Sequence, residues 1–352
     1  MSHEPGRYTR QERLAPIGID GQSRLRAAHV LVVGCGALGS MAAELLARAG
    51  VGTLTLVDRD VVEWSNLQRQ MLFDEEDARR ATPKVEAAKS RIAHINSEVR
   101  IRAFFDDFNA STAERYAEGA DVVVDGLDNL ETRYLLNDVA VLRELPYVYG
   151  AAVGTEGMTT VVLPNMTPCL RCLFPDLPPP GTLATCESAG VLGTVTALVA
   201  SLEVTEAIKI LVGNRDAVMR ELVSINPWTN ATRHLDTRRS RDPDCPCCGL
   251  KRFEFLDGSR VSRVTVLCGK NAVQFAPAVG ELPPDLESVE RRLALHEDLR
   301  RDSHAVSCTL REVRSPDGGS LSLSVFADGR IVVRGTREPE FAKSMVARFV
   351  GH

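Results

Sequence analysis

The sequence predicts an α/β protein: a mostly parallel sheet with helices on both faces, followed by a small C-terminal α+β domain. Three observations predict it. Through residues 1–250, continuous apolar runs alternate with amphipathic stretches, the pattern of strands buried on both faces and joined by crossover helices. Glycines mark the ends of these runs, where the chain must turn sharply. Residues 251–352 change to shorter, alternating runs joined by tight turns, the pattern of an antiparallel sheet. The charge changes at the same place, from net −7 over residues 1–250 to +2 over residues 251–352.

The elements follow in order. His29–Val33 is an apolar strand, followed by a glycine turn and the helical stretch Ala37–Ala49. Thr53–Val57 is a β-branched and leucine run ending at Asp58. Thr82-Pro83 reads as the N-cap and first-turn proline of a helix reaching about Asn96. Val99–Phe105 and Asp121–Asp125 read as strands, and Leu130–Arg143 as a helix. Tyr147–Ala152 and Thr159–Leu163 are later strands. Phe174–Leu183 carries four prolines in ten residues, which excludes a helix or a central strand. Gly193–Leu211 is a long helix ended by Gly213-Asn214. In the second domain, strands are expected over Val261–Leu267, Ala272–Phe275, Val306–Val313, Ser320–Phe326 and Ile331–Val333. The last two are joined at Ala327-Asp328-Gly329-Arg330. Helices are expected over Leu286–Leu299 and Pro339–Val350, the latter with Phe341, Met345, Val346 and Phe349 on one face.

Composition narrows the function. The 352 residues are 44% hydrophobic and 25% charged, with 42 basic and 47 acidic side chains, an ordinary globular balance. A net charge of −5 offers no basic excess for a nucleic-acid backbone. The longest apolar stretch, Ala28 to Ala43, contains His29, glycines and Ser40 and is too short to span a bilayer. The N-terminal residues are polar and charged, unlike a signal peptide. A cytoplasmic protein without nucleic-acid or membrane partners is therefore expected. Nine cysteines then read as metal ligands or reactive thiols before disulfides.

Residues 34–39 read GCGALG, a GxGxxG turn between a strand and a helix, as in Rossmann-like folds. Gly34, Gly36 and Gly39 let the backbone approach a nucleotide, and the helix N-terminus offers free N–H groups. Asp58 ends the next strand, where a carboxylate meets ribose hydroxyls. These features do not separate a dinucleotide from ATP. The segment Asp58-Arg59-Asp60 to Ser65-Asn66-Leu67-Gln68-Arg69-Gln70 does so. Arg69 can grip phosphate oxygens, while Asn66 and Gln70 add neutral hydrogen bonds. Lys84, in the first turn of its helix, opposes the helix dipole and suits an anionic ligand. A merely solvated lysine is the bland alternative. Asp128 follows the third strand, where such sheets bind ligands, and can hold Mg²⁺ between phosphates. Its alternative is a helix N-cap.

Two CxxC pairs, Cys169/Cys172 and Cys245/Cys248, have the spacing of a tetrahedral structural zinc site. Cys247 falls between the second pair and is not counted as a ligand. Cys186 follows the proline-rich loop and is either a nucleophile or a small buried residue. Cys35, Cys268 and Cys308 read as packing residues.

These motifs, from Tyr8-Thr9-Arg10-Gln11 through GCGALG, Asp58, SNLQRQ, Lys84, GLDN and both CxxC pairs, resemble the ThiF/MoeB/HesA family of ubiquitin-activating-like adenylyltransferases. The resemblance implies adenylylation, by ATP and Mg²⁺, of the C-terminal Gly-Gly carboxylate of a ubiquitin-fold sulfur-carrier protein. It implies nucleotide contacts from the glycine turn and Asp58, with Asp60, Asn66 and Gln70 beside them. It places Arg69 and Lys84 on the triphosphate, Asp128 on Mg²⁺, and Arg10 in the partner subunit's site of a homodimer. It also implies that Cys186 can bond covalently to the activated carrier. The alternatives are a relative that activates a small carboxylate, for instance on modified tRNA, an NAD-dependent oxidoreductase, and a non-catalytic carrier-binding protein. Residues 251–352 read as a partner-binding module or a dimer-stabilising extension.

Overall fold

The computed structural model describes residues 6–177, 189–260, 264–267, 271–277, 284–302, 304–316 and 318–351. Cys186 and Cys268 lie outside them. The chain divides into two compact units at residues 259/260.

The first unit opens with α1 (Thr9–Glu12), α2 (Gly18–Ala27), β1 (His29–Val33), α3 (Ala37–Ala49) and β2 (Thr53–Asp58). It continues with a 3₁₀ turn (Trp64–Asn66), α4 (Glu75–Arg80), α5 (Lys84–Ile95), β3 (Arg100–Phe105), α6 (Ala113–Ala117), β4 (Val122–Asp125) and α7 (Leu130–Leu142). It ends with β5 (Tyr147–Val153), β6 (Glu156–Val162), α8 (Leu170–Leu173), α9 (Gly193–Leu211), β7 (Glu221–Asn226) and β8 (Ala231–Asp236). The strands form one eight-stranded sheet in the order β3-β2-β1-β4-β5-β6-β7-β8. Pairing is parallel from β3 to β5 and antiparallel from β5 to β8. The strand order reverses between β1 and β4, which opens a crevice at their carboxyl ends.

Alternation within β1 shows why its sequence is a continuous apolar run. Val30 and Val32 pack with Leu46, Leu54, Leu56 and Ile92 on one face. Leu31 and Val33 pack with Tyr134, Leu136 and Tyr147 on the other. Both faces are covered from Val30 to Val33, so those four positions are apolar; His29, at the half-buried start, has its ring nitrogens satisfied by the Gly119 carbonyl and Thr55 Oγ1. Two features depart from the sequence expectations. Thr82 is not the cap of α5; Pro83 holds that position, with no side-chain bond, and is bridged to Val61. The β7–β8 hairpin has no strong alternating signal, because β8 is largely exposed on both faces.

The second unit holds β9 (Val264–Leu267), β10 (Ala272–Phe275), α10 (Leu286–Leu293), β11 (Glu297–Arg301), β12 (Ala305–Arg314), β13 (Ser320–Phe326), β14 (Ile331–Arg334) and α11 (Pro339–Phe349). Its sheet is antiparallel, in the order β11-β12-β13-β14-β10-β9. Val306, Leu323, Val325 and Val333 pack against Val289 and Leu293 of α10 and Met345 and Val346 of α11. The helix expected over Leu286–Leu299 stops at Leu293. Residues from Glu297 form β11, whose Arg300 and Arg301 pair with Ser307 and Val306. This hairpin pairing outweighs the helical spacing. Residues 251–259 belong to the first unit, where Phe255 is fully buried with its ring 5.1 Å from that of Tyr134.

Candidate active site

The glycine turn after β1 and the loop after β4 touch. Gly34 has φ +86°, a left-handed conformation that glycine adopts without strain. Side chains at Gly39 or Gly126 would overlap the Gly34 carbonyl. The Gly126 amide donates to Val33 at 2.8 Å, and the Gly34 amide to Val57 at 2.8 Å. These contacts draw the ends of β1, β2 and β4 together, and the N-terminus of α3 opens above them.

Asp58 fastens the turn. Its carboxylate accepts from the Cys35 amide at 2.6 Å and the Asp60 amide at 2.7 Å. Burial raises its carboxyl, and Lys84 opposes that rise. Lys84 is the first residue of α5 and is buried, with Nζ 3.2 Å from Asp60 Oδ2. Burial works against its charge, but Asp58 and Asp60 outweigh it and raise the ammonium above its ordinary value. Lys84 is therefore a fixed cation, not the solvated side chain of the bland alternative.

The SNLQRQ segment closes one wall. Asn66 accepts from the Glu63 amide at 2.9 Å and so holds its own turn. Gln70 is 4% exposed, and its Oε1 has no hydrogen-bond partner among the described residues. Its Nε2 lies 4.0 Å from where a Cβ on Gly36 would stand. A buried amide beside a glycine turn is an unmet polar demand that a ligand can satisfy. Arg69 is half-buried and donates to the Ser65 carbonyl at 2.7 Å. The start of α9 rests on this segment: a Cβ on Gly193 would stand 3.0 Å from the Gln68 carbonyl.

Asp128 is exposed, and its charge helps hold Lys84 and Arg59 protonated. It is not the cap of α7; Asn129 is, accepting from the Thr132 amide at 2.9 Å. Two buried groups brace the loop beneath it: Asp125, whose place at the strand end suits a hydrogen-bonding carboxylate, and Arg133, which sequence reasoning missed. Asp125 accepts from Tyr147 Oη at 2.6 Å and the Leu127 amide at 2.8 Å. Arg133 lies 3.3 Å from Asp125 and donates to Leu127 and Gly150 carbonyls at 2.6 and 2.8 Å. The only sequence signal was an arginine one turn into the helix after the loop. Arg59 was also missed; it pairs with Asp107 at 2.8 Å.

The crevice thus brings together Gly34, Gly36, Gly39, Gln70, Asp58, Asp60 and Lys84, with the charge of Asp128 acting on Lys84; Asn66 and Arg69 lie on the adjoining segment, each bonded within its own turn. It does not include Arg10 of the same chain. Arg10 is exposed on α1, whose neighbouring Tyr8 packs at Gly50, the C-cap of α3. The glycine turn lies at the other end of that 13-residue helix, about 20 Å away.

The second cluster is sulfur. The Sγ atoms of Cys169, Cys172, Cys245 and Cys248 all lie within 4.8 Å of one another. Cys169 is 4.0 Å from Cys172 and 3.6 Å from Cys245, and Cys172 is 3.3 Å from Cys248. A tetrahedral zinc with bonds near 2.3 Å spaces its sulfurs by about 3.8 Å. The four residues fit a metal ion. Cys247 is buried with them but accepts from Asn137 Nδ2 at 3.2 Å. The chain flanking Cys186 is held at both sides. Tyr134 Oη donates to the Phe174 carbonyl at 2.7 Å, and the Gly154 amide to that of Gly190 at 2.9 Å. Cys35 and Cys308 are buried.

Comparison with known proteins decides the family. Residues 8–247 match the ThiF family. The chain belongs to the ThiF family. It is 39% identical to the sulfur carrier protein ThiS adenylyltransferase of Bacillus subtilis, over 98% of this chain and 99% of that one. It is 40% identical to the SAMP-activating enzyme E1 of Haloferax volcanii, over 69% of this chain and 88% of that one. A crystal structure of E. coli MccB with ATP shares the fold, with a TM-score of 0.57 and 23% identity over 70% of this chain and 75% of that one. This ThiF-family chain is an enzyme of the adenylyltransferase, E1-like kind. That excludes the oxidoreductase and non-catalytic alternatives. Among the described residues, no helix is long and apolar enough to cross a membrane.

Proposed function

We propose that this enzyme uses ATP and Mg²⁺ to adenylylate the C-terminal Gly-Gly carboxylate of a ubiquitin-fold sulfur carrier of the ThiS kind. The observation that carries this reading is end-to-end similarity to a ThiS adenylyltransferase, second unit included. The SAMP-activating relative matches only 69% of the chain.

A carrier carboxylate oxygen attacks the α-phosphorus, the bond to the bridging oxygen breaks, and pyrophosphate leaves. Negative charge grows on the departing phosphates. Lys84, already fixed by two carboxylates, needs no reorganisation to meet it. Arg69 adds a planar fork. Gly34, Gly36, Gly39 and Gln70 lie along the nucleotide, with Asp58 on the ribose and Asp60 and Asn66 supporting the wall. Asp128 holds Mg²⁺, which would neutralise phosphate charge. Arg10 serves the partner subunit's site in a homodimer. Cys169, Cys172, Cys245 and Cys248 would hold Zn²⁺, which would fasten the Cys245–Cys248 knuckle to α8. The Cys186 thiolate then displaces AMP from the acyl-adenylate to give a cysteine-linked carrier. The second unit, residues 260–352, helps hold the carrier, and the protein works in the cytoplasm.

The test is exchange of labelled pyrophosphate into ATP with a Gly-Gly-ending ubiquitin-fold carrier and Mg²⁺. Exchange should require both. Exchange with a free small carboxylate in place of the carrier would favour the small-carboxylate alternative, and no exchange at all would overturn the reading. An adduct seen on non-reducing electrophoresis should disappear in Cys186→Ala while exchange persists.

A further inference from the structure

Arg59 has no part in the functional reading so far, yet its placement is tightly determined. It directly follows Asp58, the last residue of β2. There β2 pairs with β3, Asp58 opposite Phe105, and the Asp106 amide donates to the Asp58 carbonyl at 3.2 Å. The Arg59 side chain runs sideways from β2 to Asp107 beyond the end of β3, with Nη1 2.8 Å from Oδ1. Asp107 is itself set in a tight loop, its carbonyl accepting from Thr112 Oγ1 at 2.7 Å. Burial disfavours the guanidinium charge, but Asp107, Asp60 and Asp128 outweigh it. The side chain keeps 28% of its surface exposed.

The neighbours divide the crevice. Asp58 turns to the glycine turn through the Cys35 amide, and Asp60 turns to Lys84. Arg59 is tied toward β3. In a doubly wound sheet, phosphates sit on the turn after β1 and the ribose on the carboxylate ending β2. The base therefore continues outward past β2. A guanidinium held edge-on by a carboxylate keeps its flat face available for an aromatic ring.

We propose that Arg59, held by Asp107, forms the base-side wall of the nucleotide crevice and stacks its guanidinium on the purine of ATP. This rests on the adenylylation reading above. It makes Arg59 a nucleotide-binding residue distinct from the phosphate-binding Lys84 and Arg69.

The experiment is calorimetric titration of the full chain with ATP and, separately, with inorganic tripolyphosphate, both with Mg²⁺. Wild type, Arg59→Ala, Arg59→Lys and Asp107→Asn are compared. Arg59→Lys keeps a cation for Asp107 but has no flat face. Arg59→Ala should weaken ATP about tenfold, the scale of a lost desolvated cation–π contact, and Arg59→Lys about threefold, because its ammonium keeps the charge but loses the stacking plane; in both, tripolyphosphate affinity stays within about twofold. Asp107→Asn removes no group from the purine face, so it reports on Arg59 even where an Arg59 variant fails to fold; it should weaken ATP selectively. Equal weakening of ATP and tripolyphosphate would make Arg59 a phosphate ligand and overturn the proposal. Unchanged ATP affinity in folded variants would also overturn it. A wild-type protein that binds neither probe overturns the nucleotide reading itself.

Discussion

Asn137 joins the two cysteine knuckles: its Nδ2 donates to Cys247 Sγ at 3.2 Å while its Oδ1 accepts from the Leu170 amide at 2.8 Å. The residue is fully buried. One turn earlier on the same helix, Arg133 holds the loop that carries Asp128. Helix α7 therefore carries contacts to both clusters.

Asn137→Leu should destabilise the protein by about 1–3 kcal/mol, because it strands a buried amide and a thiol. Chelator-driven zinc release should also quicken. Native protein should contain one zinc per chain, and Cys247→Ser should keep it. Elemental analysis checks both; loss of metal in Cys247→Ser would make Cys247 a ligand.

Lys84→Met should lower pyrophosphate exchange by about 100-fold or more, the scale of one lost transition-state donor. The raised ammonium value fixes the sign of the pH dependence. Stability from its pairing is fully present below the ordinary lysine range and is lost only as pH rises through the folded value. ATP affinity should therefore show no lysine titration between about pH 6 and 9. A lysine-dependent fall within that window would contradict the pairing.

Asp128→Ala should abolish exchange yet shift stability by less than about 0.5 kcal/mol, since the side chain is exposed. Arg10→Ala should also be inactive. Mixing the two inactive proteins as exchanging dimers should restore up to about a quarter of wild-type activity, because each mixed dimer has one intact site. No recovery after proven subunit exchange would place Arg10 outside the partner's site.

Glu203 is fully buried on α9, with both carboxylate oxygens unpartnered among the described residues. Burial and then Asp125 hold its carboxyl well above the ordinary range. An acid raised on folding contributes stability below its unfolded value and loses it as pH rises toward the folded value. Glu203→Gln removes this penalty, so its melting temperature should gain on wild type between pH 5 and pH 8. Parallel curves would show that Glu203 does not titrate on folding.

The residues by themselves determined the strands β1 to β4, the helices α3 and α9, the glycine turn and the cysteine pairs. Each depends on local or short-period pattern: apolar runs, φ-permissive glycines, CxxC spacing. The tertiary structure alone decided the antiparallel half of the large sheet. The Val153–Glu156 hairpin is too short for a crossover, but pairing partners are not written in either strand. Helix α10 ends at Leu293 because β11 gains a hairpin partner in β12, a pairing that the helical spacing of the apolar residues hid. In the crevice, Asp58, Lys84 and Asp128 were legible from their positions at strand and helix ends. Arg59, Arg133 and Glu203 were not. Their chemistry comes from burial and from charges brought near by folding, and neither is visible along a chain.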